Sequence, residues 1–189
     1  MPERVERPES FVSVDVETAG PNPSNYAMLS IGACLVDDPT IGFYVELKPD
    51  KAAVAEHALE IGGLSMESLA ASGRDPGQAL QEFADWLTTT VPEGHAPVFV
   101  GFNAPFDWMF VSDYFWRYLG HNPFGHSALD IKAYYMGVAN STWARTSLRY
   151  LSPLYLDGSK LSHNALADAR DQAELFRAIR AEAARRKQI

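Results

Sequence analysis

Polar and apolar residues alternate where the chain first becomes ordered. In Phe11-Val-Ser-Val-Asp-Val16, Val12, Val14 and Val16 share one face, while Ser13, Asp15 and the following Glu17 share the other. A period of two with β-branched residues predicts a strand. Ala27 to Val36 and Ile41 to Leu47 read as two more strands, joined by the hairpin-type connection Asp37-Asp-Pro-Thr40 and closed by Pro49-Asp50. The opening is thus predicted as a three-stranded antiparallel meander. The period then changes. Leu80, Phe83, Ala84 and Leu87 recur at helical spacing within 78–88. Pro97 to Gly101 is a short continuous apolar run, the mark of a strand buried on both faces. Asn103 reads as the N-cap of a helix with Pro105 in its first turn and Gly120 as its stop. Ser127 to Ile131 reads as a fifth strand, Thr146 to Leu151 as a helix ended by Pro153, and 164–187 as a long final helix. Strands first, then strands alternating with helices, predict an α/β protein: a mixed sheet with helices on its faces.

At 189 residues, one domain is expected, spanning 11–189 after a short tail over 1–10. A 47% hydrophobic and 21% charged composition supports a real core and excludes a disordered chain. The net charge of −8 argues against nucleic-acid binding through a broad basic surface. Cys34 is the single cysteine, so no internal disulfide can form, and a reducing compartment is expected. The charged N-terminus lacks the apolar stretch of a signal peptide, and no apolar run is long enough to span a bilayer. A soluble, cytoplasmic protein without membrane partners is the expectation.

Two carboxylates at i and i+2 on an otherwise apolar strand repel one another, and burying them is costly unless a cation lies between them. The plain alternative for Asp15 and Glu17 is a solvated strand end. In the final helix, Leu166, Ala169, Ala173, Leu175, Phe176 and Ile179 fall on one arc, and Asp168 falls within it. A charge on the packed side of a helix needs a partner, either an arginine or a metal ion. Asp107 emerges between Phe106 and Trp108 near a helix start, at the sheet edge where α/β proteins bind ligands. Four acidic oxygen donors suit hard divalent cations, and two such ions can clamp the oxygens of an in-line phosphoryl displacement. His163, five residues before Asp168, offers an imidazole suited to taking a proton at neutral pH; a capping or surface role is its ordinary alternative.

Three segments carry a family resemblance. Val14-Asp-Val-Glu-Thr-Ala-Gly20, Gly101-Phe-Asn-Ala-Pro-Phe-Asp107 and His163-Asn-Ala-Leu-Ala-Asp168 resemble, in order, the three motifs of the DEDDh-type 3′–5′ exonucleases. That family includes the proofreading epsilon subunit of DNA polymerase III, ribonuclease T and oligoribonuclease. The resemblance runs from about Phe11 to Phe176 and implies a ribonuclease H-like fold with a five-stranded mixed sheet. It implies release of nucleoside 5′-monophosphates from DNA or RNA 3′ ends. It also implies that Asp15, Glu17, Asp107 and Asp168 hold two Mg²⁺ or Mn²⁺ ions, with Asp15 bridging them and His163 as general base. Thr18 and Ala19 would receive the 3′-terminal nucleotide through their backbone, and Asn103 would lie near the scissile phosphate. Asp130 would be structural. The chain departs from many relatives at Ser30, where they carry an acid, and at Gly62-Gly63, where they carry a His-Gly pair.

Phe102, Phe106 and Phe110 are spaced as one helical face, with Phe106 the best placed to wedge against a base. Trp143 and Tyr155 lie in segments able to line a groove, and Arg145, Arg149 and Lys160 are candidate phosphate contacts. The acidic balance favours a short footprint on single-stranded or short substrates. A rival reading is a catalytically silent module that binds a nucleic-acid end or a partner; all four carboxylates and the histidine are present, which weighs against it. The sequence leaves open DNA against RNA, a polymerase partner, and monomer against homodimer.

Overall fold

The computed structural model describes residues 6–56, 64–156 and 163–186. Strands β1 (Glu9–Thr18), β2 (Met28–Leu35) and β3 (Gly42–Glu46) form the antiparallel meander, and β4 (Ala96–Gly101) and β5 (Ala128–Asp130) add to it in parallel. The sheet order is β3-β2-β1-β4-β5, so β1 is central, antiparallel to β2 and parallel to β4. The helices among the described residues are α1 (Met66–Ser72), α2 (Pro76–Thr90), α3 (Ala104–Leu119), α4 (Ile131–Ala139), a 3₁₀ turn (Trp143–Thr146), α5 (Leu148–Tyr155) and α6 (Ala165–Arg186).

The predicted alternation of β1 sorts the core into two layers. Val12, Val14 and Val16 pack with Leu80 and Phe83 of α2 and Phe110 and Tyr114 of α3. The opposite face packs Cys34 and Val100 against Ala169, Ala173 and Phe176 of α6, with α4 and α5 alongside. A mixed sheet with helices on both faces is therefore the fold.

Several local expectations change. β1 begins at Glu9, inside the predicted tail, because Glu9 and Ser10 pair with Ala96 and Pro97. β5 is cut to three residues because Asp130 accepts from the N–H groups of Lys132 and Ala133 and so starts α4. Pro153 lies inside α5 rather than after it. Neither α1 nor α4 was predicted.

One contact sets the distance between α6 and the sheet. A Cβ on Gly32 would lie 2.1 Å from the backbone of Ala165 and Leu166, so only glycine lets the first turn of α6 press onto β2. Gly32 pairs with Asp15, and the same contact therefore delivers Asp168 to the carboxylates of β1.

Candidate active site

β1 presents Asp15 and Glu17 towards α6, and a register shift between Glu17 and Thr18 bends the strand end there. One carboxylate oxygen from each of Asp15, Glu17 and Asp168 lies within 4.8 Å of the other two. Asp168 is buried in the first turn of α6, on the apolar arc where the periodicity placed it. Its Oδ2 accepts from the N–H of His163 at 3.0 Å. Asn164 caps the helix by accepting from Ala167 N–H, which holds this turn in place.

Asp107, buried in the first turn of α3, is not one of this close trio, but its charge reaches Asp15. β4 ends at Gly101, and the Asp107 Oδ1 accepts from the N–H of Val16 on β1 at 3.1 Å. Burial, then repulsion from Asp107, Glu17 and Asp168, raises the Asp15 carboxyl well above the usual carboxylate range. Burial and the charge of Asp168 push Glu17 up to about 7, and burial pushes Asp107 up to about 8. Acids gathered this closely in a low-dielectric setting destabilise one another's charge. An all-oxygen donor set of this kind fits a hard divalent cation, which would relieve that repulsion.

Gln172, which sequence reasoning passed over, completes the arrangement. It is buried one turn after Asp168, donates Nε2–H to Asp15 Oδ1 at 2.6 Å and accepts from Phe102 N–H at 2.8 Å. One side chain thus ties α6 to β1 and to the end of β4. The available signal was a polar residue on the apolar arc, the same signal that singled out Asp168.

The other expected residues are placed as follows. His163 is exposed, with φ +57°, a left-handed conformation that costs a non-glycine residue about 1–2 kcal/mol. Asn103 stands at the N-cap position, also left-handed, but its side chain does not cap; Asp130 Oδ1 instead accepts from the N–H groups of Asn103 and Ala104. Asp130 therefore caps two helix starts and is structural. Thr18 Oγ1 donates to the carbonyl of Gly20, and Ala19 is fully buried with its N–H bonded to Ala27 and its carbonyl to Ala55. Ala19 thus has no backbone donor left for a nucleotide.

The three-phenylalanine face dissolves because α3 begins only at Ala104. Phe102 packs with the α6 layer, whereas Phe106 stays half-buried, its ring centroid 5.6 Å from that of Phe110. Ser30 is buried between Glu17 and Glu46 on the neighbouring strands. Gly62-Gly63 and Lys160 lie outside the described residues. No described helix is long and apolar enough to cross a membrane.

The chain resembles known proteins at three levels. It is 48% identical over 171 residues to the 3′-5′ DNA exonuclease Cap18 of Escherichia coli, covering 90% of this chain and 91% of that one. Its fold matches E. coli exonuclease I solved with single-stranded DNA and a zinc ion (TM-score 0.71, 18% identity), covering 96% of this chain but 42% of that longer one. It matches the nuclease domain of 3′hExo, a DEDDh family member bound to rAMP, over 95% and 94% of the two chains (TM-score 0.72, 14% identity). The exonuclease family model RNase_T matches residues 12–176, a span that takes in every carboxylate described above, and the chain accordingly belongs to that family of exonucleases.

Proposed function

We propose that this enzyme removes nucleotides one at a time from the 3′ end of single-stranded DNA, releasing nucleoside 5′-monophosphates. The observation that carries this is the convergence of Asp15, Glu17 and Asp168, from segments some 150 residues apart in the chain, within 4.8 Å of one another. The DNA preference rests on the name of the 48%-identical relative, and the short single-stranded footprint on the net charge of −8.

In this reading Asp15, Glu17, Asp107 and Asp168 would hold two divalent cations, Mg²⁺ or Mn²⁺. Bound there, such ions supply Lewis-acid activation of water and stabilisation of the leaving 3′-oxygen. Asp107 keeps its bond to Val16, and Gln172 fixes the rotamer of Asp15, so the donor set is preorganised. His163 takes the proton of the attacking water at its imidazole, while its backbone N–H holds Asp168. Asn103 and the half-buried Phe106 flank the terminal nucleotide, Phe106 against its base. Thr18 borders it, with the fully buried Ala19 behind. Cys34 is buried, its thiol bonded to the Ala169 carbonyl and pushed up to about 12 by burial; an inert thiol accords with a cytoplasmic enzyme.

The test is a 5′-labelled DNA strand and its RNA counterpart incubated with Mg²⁺, then with excess chelator. A descending ladder on DNA, stopped by the chelator, is expected. Binding without any ladder would identify a silent end-binding module instead.

A further inference from the structure

Residues 131–156 contain no aspartate or glutamate, in a chain that has 24 acidic residues among 189. The same stretch holds Lys132, Arg145 and Arg149 together with one tryptophan and four tyrosines. Three of the tyrosines are spent on packing. Tyr134 sets its edge against Phe176, Tyr135 against Tyr155, and the Tyr155 hydroxyl donates to Glu182. Trp143 and Tyr150 are not: their relative exposures are 53% and 39%.

Trp143 is exposed yet oriented. The Lys132 ammonium stands 4.3 Å from its ring centroid and 5.9 Å from that of Phe102. A cation over one face of the indole orients the ring while leaving it open to solvent. Arg145 repeats the pairing more loosely, 5.9 Å from the Tyr150 ring.

A chain of contacts connects this surface to the carboxylates. Asp15 is bonded to Gln172, Gln172 to the backbone of Phe102, and Lys132 lies over the Phe102 ring. Alternating aromatic faces and cations that lead out from a phosphodiester-cleaving site are what a single strand needs, since every base offers a π-face and every linkage a negative charge. In a protein of net charge −8, an acid-free stretch is where such a strand meets least repulsion.

We infer that the exposed face around Lys132, Trp143, Arg145 and Tyr150 is the track for the single-stranded nucleic acid on the 5′ side of the scissile bond. Trp143 stacks on an upstream base, and Lys132 and Arg145 hold phosphates. The inference rests on the proposed 3′-exonuclease reading and adds the path of the strand.

The test compares two substrates in the full chain: a nitrophenyl ester of thymidine 5′-monophosphate, which reaches only the carboxylates, and a ten-nucleotide thymidine strand, which also reaches the track. The measured quantity is the ratio of kcat/KM for the strand over the ester. Trp143→Ala should lower that ratio by about tenfold, through KM rather than kcat, and Trp143→Phe should restore most of it. Lys132→Ala should lower it too and reduce the salt dependence of strand binding by about one ion. A ratio unchanged in both alanine variants overturns the track. Equal losses on ester and strand also overturn it, since they indicate a merely structural contact. Fluorescence anisotropy of a labelled strand needs no turnover. If the wild type cleaves neither substrate but Trp143→Ala still weakens binding, the hydrolytic reading fails and the track survives.

Discussion

Two aspartates in this protein meet opposite fates. Asp50 accepts hydrogen bonds from the hydroxyls of Tyr114 at 2.6 Å and Tyr118 at 3.0 Å, and from Lys51 and Arg117. Burial alone would raise its carboxyl, but these donors outweigh burial and hold it below the usual range. Asp15 is also withdrawn from solvent, yet it has one neutral donor, Gln172, and faces three other carboxylates that push its carboxyl up. The fold supplies Asp50 with all its partners, including a Tyr114 whose hydroxyl accepts from Met28 N–H. Around Asp15 it supplies repulsion. The first arrangement is a strut that needs nothing further. The second lacks enough donors for its charge, and a bound cation would relieve the repulsion that the fold leaves there.

The comparison can be broken most severely at Asp15. Asp15→Asn should cut hydrolysis by roughly a thousandfold, the rate equivalent of several kcal/mol of charge stabilisation. The same change removes a repelled charge, so the metal-free protein should melt no lower than the wild type. A lower melting temperature would place Asp15 with Asp50 as a structural group. Asp50→Asn should do the reverse: it leaves charged donors underpaired and should cost about 1–3 kcal/mol of stability in denaturant melts while cleavage persists.

Gln172→Leu keeps the bulk of the side chain and removes both of its hydrogen bonds. It should weaken Mn²⁺ binding and turnover by about tenfold, as outer partners of metal ligands usually do. Calorimetric titration of Mn²⁺ reads this without turnover, and wild-type affinity would reduce Gln172 to packing.

A further expected effect is on pH dependence, and it has opposite signs at the two sites. Glu17 near 7 and Asp107 near 8 keep protons in the fold that the unfolded chain releases near 4. Metal-free stability should therefore fall as pH rises from about 4 to about 8, and Mn²⁺ should raise the melting temperature more at about pH 8 than at about pH 5. Asp50, held low, contributes stability that is present above the unfolded carboxylate value and lost as pH falls through its lower folded value. Asp50→Asn should flatten only the acid limb of the stability profile.

Much of this was legible along the chain. The period-two valines of β1, the Pro105 start and Gly120 stop of α3 and the long amphipathic α6 predicted the elements that carry the carboxylates. Asp168 stood out as a charge on the apolar arc of α6, and it is buried there. The same arc holds Gln172, whose neutral amide raises no alarm in a hydropathy pattern. Other features depended on partners distant in sequence: Asn103 needs no side-chain cap of its own because Asp130 supplies one, 27 residues away.

The sequence by itself determined the strands and the long helices, and that acidic oxygens gather at one edge of the sheet, because periodicity and charge are properties of neighbouring residues. Only the tertiary structure decided which polar groups complete one another. Gly32 lets α6 press onto β2, and Gln172 then joins Asp15 to Phe102 across 157 and 70 positions of chain. Hydrogen bonds are satisfied in space, and a linear pattern does not encode who stands within 3 Å of whom.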